Sequence, residues 1–297
     1  MSQNAELELF RLAIAAVVLG YASLQDIRTR TVKNPVWIAL ALVGLALLPL
    51  QIAIDHQPLY YLAAVAPILA ILSDVYWDPK ESSVMSKYAP FMKYAVAVVL
   101  IVILALLWGD QTGFRPFLAV PVMMLFVVVM YMLDVIRGGA DAKALLSLSI
   151  LFPVYPLLQG LPVLHGTSSG QLLFPFSFVI LVNAAIIVAF TPLVFLIRNL
   201  AAKEFRFPQG LLGYKIDHKQ LKGRQVWLME RIDQGQHRLY ARPKRDEDLE
   251  KEIDLLVKSG YTRFWVTPKI PFVVPMLASL IFSAIVGNLI LLLTPNI

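Results

Sequence analysis

Long apolar stretches, separated by short polar connections, make up most of this chain of 297 residues. A stretch of about 20 apolar residues is long enough to cross a lipid bilayer as an α-helix. Eight stretches of this kind predict transmembrane helices near residues 9–25, 36–54, 59–76, 91–109, 116–136, 142–160, 173–197 and 270–294. The sixth is interrupted by Pro153 and Pro156. The pattern predicts an all-α polytopic membrane bundle.

The pattern becomes polar between the seventh and eighth stretches. Residues 198–268 are rich in Lys, Arg, Asp and Glu, and so polar a segment does not cross the hydrocarbon region of a membrane. We predict a small cytoplasmic α+β domain at 198–268. It separates a membrane core at 1–197, with seven spans, from a final transmembrane helix at 269–297.

Local patterns inside this polar segment predict its elements. Strand-like patterns at 225–232 and 237–241 flank a polar turn and predict a β-hairpin. Apolar residues recur at helical spacing after Asp246, which is a candidate helix cap, and Gly260 supplies a stop. Residues 263–266 then predict a strand that leads towards the last transmembrane helix.

Composition agrees with an integral membrane protein. Hydrophobic residues make up 58% of the chain and charged residues 15%, with a mean hydropathy of +0.70. The chain contains no cysteine, which excludes disulfides, cysteine metal sites and thiol nucleophiles. Its net charge of +6 does not indicate a nucleic-acid partner, because the basic residues are distributed according to membrane side.

The basic residues in the connections predict the orientation in the membrane, since cytoplasmic loops carry an excess of Lys and Arg. The first, third and fifth connections hold most of these cations, which are Arg28, Arg30, Lys33, Lys80, Lys87, Arg137 and, just beyond, Lys143. The opposite connections are nearly bare of cations. We therefore expect the odd-numbered connections in the cytoplasm and both termini outside.

Two carboxylates stand at helix ends where a membrane normally excludes them. Asp26 ends the first apolar stretch, and Asp141 opens the sixth within the sequence Gly138-Gly139-Ala140-Asp141-Ala142-Lys143. An acid in such a place costs about 2.5 kcal/mol or more if it faces lipid, so the two suggest an interior polar site. Four predicted spans separate them. An even number returns the chain to the same membrane face, here the cytoplasmic one.

Two carboxyls side by side can perform acid and base chemistry together. Their titrations become coupled, so that one is ionised while the other keeps its proton. The ionised carboxylate can take a proton from a water that attacks a peptide carbonyl, and the protonated one can stabilise the developing oxyanion. Gly138, Gly139 and Ala140 are candidates for substrate binding, because a bare backbone lets an extended segment approach and pair with it.

Other interpretations of the same acids remain open. Asp26 taken alone is typical of a membrane-flanking acid paired with Arg28 or Arg30, and Asp141 taken alone is typical of a helix cap, favoured by about 1 kcal/mol. Intramembrane acids also serve as proton or ion sites, so an ion- or proton-coupled transporter is the alternative function. We expect Asp134 to face the headgroups or to pair with Arg137.

The two aspartate motifs resemble those of a known family. Asp26-Ile27-Arg28-Thr29-Arg30, followed by Val32 and Asn34, together with residues 138–143, is similar to the GxGD-type aspartic peptidases that process type IV prepilins and archaeal preflagellins. Three later segments resemble the archaeal branch in particular: Gly213-Tyr214-Lys215-Ile216, Leu228-Met229-Glu230 and Trp265-Val266-Thr267-Pro268-Lys269-Ile270-Pro271-Phe272.

The resemblance implies that Asp26 and Asp141 are the two catalytic aspartates. It implies a prepilin-like or preflagellin protein substrate, cut on the cytoplasmic side after a short basic leader and just before the hydrophobic segment. The acid and base scheme needs no metal, and we expect no cofactor. Beyond the substrate we expect only membrane lipids as partners. A presenilin-like protease would also pair two aspartates, but its Tyr-Asp and Pro-Ala-Leu motifs are not found in this sequence.

The chain departs from the family pattern in three ways. Ala140 replaces the second glycine of GxGD, and the third and fourth helices resemble an insertion between the aspartates. The cysteine-rich zinc segment of many bacterial members is missing, so we predict cleavage without methylation of the product. Acids near the site are candidates for attracting a basic leader. These acids are Asp74, Asp78, Glu81 and Asp134. We expect Asp74 and Asp78 to be solvated at the edge of a loop.

Overall fold

The computed structural model of the chain describes residues 3–76, 84–158, 160–221, 224–233, 235–241 and 249–292. The chain forms two compact units. The first consists of Met1–Ala185 and Pro271–Ile297, and the second of Ile186–Ile270. Each unit is described by itself below.

Twelve helices and five strands are present in the described residues. The helices are α1 (Gln3–Thr29), α2 (Asn34–Ile54), α3 (Val65–Tyr76), α4 (Val84–Trp108), α5 (Arg115–Met132), α6 (Gly139–Leu151), α7 (Ser168–Leu173), α8 (Phe176–Ala189), α9 (Thr191–Ala201), α10 (Gln209–Leu212), α11 (Leu249–Lys258) and α12 (Val273–Ile285). The strands are β1 (Tyr214–Asp217), β2 (Val226–Leu228), β3 (Glu230–Asp233), β4 (Gln236–Leu239) and β5 (Arg263–Pro268).

Six helical stretches within the described residues are long and apolar enough to cross a membrane. They are Asn4–Thr29, Asn34–Ile54, Leu59–Tyr76, Ala89–Trp108, Arg115–Met132 and Phe176–Ala201. The predicted class of a polytopic helical membrane bundle with a small α+β domain is therefore confirmed. Four of the six stretches lie between Asp26 and Asp141, in agreement with the predicted parity.

The sixth and eighth predicted spans form shorter helices than expected. Helix α6 has 13 residues and ends at Leu151, because Pro153 follows and disfavours helical backbone at the residue before it. Helix α12 also has 13 residues and ends at Ile285, two residues before Gly287, which adopts a φ of +105°. Apolar composition continues past both ends, so the sequence pattern alone overestimated their length.

Helix α2 packs directly against both helices that carry the two acids. Towards α6, the Ser147 hydroxyl donates a hydrogen bond of 3.0 Å to the Trp37 carbonyl oxygen. Towards α1, the buried Arg11 guanidinium donates to the Gln51 side-chain oxygen at 2.7 Å. These contacts fix α1 and α6 against one common helix, so the relative position of Asp26 and Asp141 depends on α2.

Gly44 of α2 allows α6 to pack closely, and this leads to a stability prediction. A Cβ on Gly44 would lie 2.9 Å from the Leu151 amide nitrogen, whereas a Cβ on Gly20 of α1 would meet nothing within 4 Å. We expect Gly44→Ala to lower the midpoint of thermal unfolding in detergent. Gly20→Ala should leave it unchanged or raise it, because alanine favours a helix interior by up to about 1 kcal/mol. Equal midpoints for the two variants would contradict this view of the α2 and α6 contact.

The second unit contains two small antiparallel sheets. One has the strand order β1-β5-β2, and its register pairs Ile216 with Phe264 and Leu228 with Val266. The other is the hairpin of β3 and β4, in which Ile232 pairs with His237. Phe264 and Val266 of β5 are fully buried, and they pack with Leu256 of α11 in the core of this unit.

Most of the elements predicted for this unit are confirmed. The hairpin, the helix that stops before Gly260 and the strand around 263–266 are all present. The prediction that the whole segment 225–232 pairs with 237–241 is wrong, because its first part is β2, which pairs with β5 instead. The proposed cap Asp246 lies outside the described residues. The domain boundaries at 197/198 and 268/269 stay predictions.

Candidate active site

Asp26 lies on the last turns of α1 and is only 8% exposed. The helix ends at Thr29, three residues after Asp26. The next residue, Arg30, adopts a φ of +58°, and its N–H donates to the Asp26 carbonyl oxygen at 3.0 Å. This reversal keeps the Arg30 guanidinium close enough to interact electrostatically with the Asp26 carboxylate. Asp26 is therefore an inward-facing acid at a helix end, with a cation nearby.

Asp141 is the third residue of α6, in the first turn after the helix cap Gly138. Its carboxylate folds back over Gly138, so that a Cβ on Gly138 would lie 2.1 Å from Asp141 Oδ2 and 2.7 Å from its Cγ. The backbone of Gly138 is extended, with φ −91° and ψ 118°, which any residue can adopt. Glycine is therefore needed here for space rather than for an unusual backbone conformation.

The two acids lie within electrostatic range of one another. Burial, and after it the negative charge of Asp26, raises the pKa of Asp141 to about 7. Asp141 itself stands outside the six stretches that are long enough to cross a membrane. Because burial and a nearby negative charge both disfavour the ionised form, Asp141 keeps its proton up to near neutral pH. The role of Asp26 and Asp141 as a shared acid and base stays a prediction.

A direct hydrogen bond joins the two aspartate motifs. Lys143, two residues after Asp141, donates from Nζ to Asn34 Oδ1 at 2.8 Å. Asn34 is the first residue of α2 and closes the motif that begins at Asp26. Neither residue was expected to have this role, since they lie 109 positions apart and no periodic pattern relates them. The bond holds the beginning of α6 against the beginning of α2.

A cavity of about 320 Å³ lies beside another face of α6. This helix lines the cavity with Gly139, Ala142, Lys143 and Leu146, which share one helical face that does not include Asp141. Tyr131 of α5 also lines it, and its hydroxyl lies 3.6 Å from the place where a Cβ on Gly139 would stand. Nothing in the spacing of Tyr131 along the sequence indicated this contact.

The first turn of α6 limits how a substrate can approach the proposed binding residues. Gly139 and Ala140 are helical, and only Gly138 retains an extended backbone. Gly139 and Ala140 therefore do not present the extended backbone that pairs with an added strand, and their role in substrate binding stays a prediction. The first intrahelical bond runs from the Ala142 N–H to the Gly138 carbonyl. The N–H groups of residues 139–141 thus have no acceptor within the helix.

The other acids considered in the sequence have different surroundings. Asp74 was expected to be solvated, but it is partly buried at the 320 Å³ cavity, 3.5 Å from Lys93 Nζ and close enough to Tyr94 to interact with it electrostatically. Asp134 is exposed and pairs with Arg137 at 3.3 Å, as predicted. Asp78 and Glu81 lie outside the described residues. No group of three or more His, Asp or Glu side chains suited to a metal ion occurs in the described residues.

Comparison with known proteins gives concordant results. Residues 206–289 match the family described as Archaeal Peptidase A24 C-terminus Type II. The chain is 23% identical to a preflagellin peptidase of Methanocaldococcus jannaschii, over 94% of both chains. It is 28% identical to a preflagellin peptidase of Methanococcus maripaludis, over 52% of this chain and 65% of that protein. These matches agree with the resemblance noted in the sequence: this chain is similar over nearly its whole length to a preflagellin peptidase.

Proposed function

We propose that this chain is a membrane aspartic endopeptidase that removes a leader peptide from preflagellin or prepilin-like subunits, with Asp26 and Asp141 as its catalytic pair. The observation that carries the assignment is the electrostatic coupling of two carboxyls that stand in separate motifs. The two relatives are preflagellin peptidases. One is similar to this chain over 94% of its length, and the other over 52%. Nothing in these comparisons supports the transporter alternative.

The reaction needs one water between the two carboxyls. The ionised carboxylate accepts a proton from this water as its oxygen attacks the peptide carbonyl carbon. The protonated carboxyl donates a hydrogen bond to the carbonyl oxygen, which becomes an oxyanion in the tetrahedral intermediate. The carboxyl that took the proton from water then gives it to the peptide nitrogen, and the C–N bond breaks to leave a carboxylic acid and an amine. Burial and the charge of Asp26 raise the pKa of Asp141 to about 7, so we assign the carboxyl that starts with the proton to Asp141.

Cleavage of a defined precursor tests this proposal. The purified protein in lipid vesicles is mixed with a membrane-anchored precursor that has a short basic leader and then a hydrophobic segment. We expect one cut directly before the hydrophobic segment, and the mass of the product should correspond to an unmethylated amine. A precursor that stays intact, although a related preflagellin peptidase cuts it under the same conditions, would contradict the proposal.

A dependence on pH follows from the raised pKa of Asp141. A carboxyl with a pKa of about 7 is protonated below that pH and ionised above it, so the proton donor is lost as the pH rises through 7. We expect kcat/KM to fall on the alkaline side by up to about tenfold per pH unit. The measurement is kcat/KM between pH 5 and pH 9. A rate that rises through pH 7 would instead make Asp141 the general base.

We also propose that both acids lie at the cytoplasmic face, from the cations in the odd-numbered connections. The chain has no cysteine, so single cysteines report their side unambiguously. Thr31, in the first connection, and Asp110, in the fourth, are both exposed. We expect a membrane-impermeant maleimide added to intact cells to label Asp110→Cys, and to label Thr31→Cys only after the membrane is opened. The reverse result would place the acids outside.

A further inference from the structure

A second cavity, of about 420 Å³, lies at the end of the bundle away from the two acids. The connection before α5, the first turn of α5, residues 153–155 and helix α7 line it. Helix α5 runs from Arg115 at this cavity to Tyr131 beside Gly139, and its 18 residues span about 27 Å. This length is close to the hydrocarbon thickness of a bilayer, about 30 Å, so the cavity lies near the opposite membrane surface.

The lining of this cavity favours an anionic group. Arg115 is the charged residue of its lining, which otherwise has polar groups on Thr112, Ser168, Ser169 and Gln171. The Arg115 guanidinium donates to the carbonyl oxygens of Gly109 at 3.0 Å and Asp110 at 3.4 Å. These bonds hold the guanidinium in place and use only part of its five N–H donors, so it can still bind an anion.

Tyr155 adds a buried polar group that lacks a partner. It lines the same cavity and is 6% exposed, and its ring packs edge-on against Phe176 at 5.1 Å between centroids. Its hydroxyl has no hydrogen-bond partner among the described residues. A buried donor without an acceptor is unfavourable, and an oxygen-rich ligand in the cavity would satisfy it.

An apolar strip continues from this cavity along α5. Ala119 lines the cavity, and Val122 and Phe126 follow on the same helical face with exposures of 48% and 37%. The Phe126 ring packs against Phe178 at 5.6 Å, and Phe178 stacks on Phe174 at 5.8 Å. The surface thus combines a cationic, donor-rich end with an aromatic and aliphatic track that extends towards the middle of the bundle.

We infer that this surface binds one membrane phospholipid, with its phosphate in the cavity at Arg115 and one hydrocarbon chain along Ala119, Val122 and Phe126. Guanidinium pairs with phosphate through two parallel charge-assisted hydrogen bonds, which a surface of hydroxyls alone does not provide. The Tyr155 hydroxyl donates to a further phosphate oxygen. The site is separate from the acids, and it ties α5 and α7 together at the far end of the bundle.

The test uses the full chain in a neutral detergent that carries no phosphate. Thermal unfolding and native mass spectrometry are measured with dioleoyl phosphatidylglycerol, with dioleoylglycerol, which has the same chains without phosphate, and with inorganic phosphate. We expect a raised unfolding midpoint and a retained lipid adduct only with the phospholipid. Equal effects of the two lipids would overturn the proposal, since they would indicate non-specific association. An equal effect of inorganic phosphate would overturn the assignment to a lipid.

Variants connect the effect to the cavity. Arg115→Gln should weaken phospholipid binding by about tenfold or more. Arg115→Lys should weaken it by less, because lysine keeps the charge but loses the two parallel N–H donors of the guanidinium. Tyr155→Phe keeps the packing and should weaken binding to a smaller extent. The matched control is Arg206→Gln, at an exposed arginine of the second unit, and it should bind like the parent. Parent-like binding by both Arg115→Gln and Tyr155→Phe would overturn the proposal.

Discussion

Replacement of either Asp26 or Asp141 by asparagine is expected to reduce leader cleavage by at least about 100-fold. Asparagine preserves the size of the side chain but can neither accept a proton from water nor give one up. Since the two carboxyls act on one water, the loss of one disables the other. The double variant should therefore cleave at the same residual rate as either single variant, because the two effects are not additive. Initial rates of cleavage at matched protein concentration provide the measurement.

Asp134→Asn is the matched control for these variants. Asp134 precedes Asp141 by seven residues, but its carboxylate is exposed and pairs with Arg137 at 3.3 Å. Its φ of +58° suits asparagine as well as aspartate, so the backbone should not change. We expect a parent-like kcat, and only KM should change if Asp134 also attracts the basic leader. Asp141→Asn should not lower the unfolding midpoint either, because burial disfavours the ionised form of Asp141. An active Asp26→Asn or Asp141→Asn variant would remove the proposed catalytic pair.

The sequence was sufficient to predict those features that depend on local composition. Apolar runs of about 20 residues predicted the spans because a bilayer imposes that length on any helix that crosses it. The same rule failed for α6 and α12, where a proline and a glycine end the helix while the apolar composition continues. The cost of each aspartate in a membrane and the even number of spans between them suggested a shared site. The family resemblance then implied that the two are the catalytic pair.

Contacts between distant segments were not predictable from the sequence. The hydrogen bond from Lys143 to Asn34 and the pairing of β2 with β5 join residues that no periodic pattern relates. Asp74 was taken for a solvated acid because it stands near a helix end. Lys93 and Tyr94, which surround it, lie on the next helix. In each case the helix or strand was apparent from the sequence, whereas its neighbour depended on tertiary packing.

The glycine before the first turn of α6 gives the second large expected effect. Gly138→Ala should reduce cleavage by about 100-fold while the protein stays folded, since a small displacement of a catalytic group can cost that much. The added methyl would occupy the space of the Asp141 carboxylate, 2.1 Å from Oδ2, and this flexible group is what moves. The backbone angles of Gly138 are acceptable for alanine, so folding should not suffer. Cleavage rates and the unfolding midpoint are measured together.

Gly139→Ala separates this effect from a general need for bare backbone at the site. A Cβ at Gly139 would meet only the Tyr131 hydroxyl, at an ordinary distance of 3.6 Å, so the Asp141 carboxylate should keep its place. We expect a clearly smaller loss of activity than for Gly138→Ala. If both variants lost activity equally while remaining folded, close approach of the substrate to the backbone would explain why activity requires glycine at both positions. A larger loss at Gly138 would instead indicate that this glycine positions the Asp141 carboxylate for its reaction.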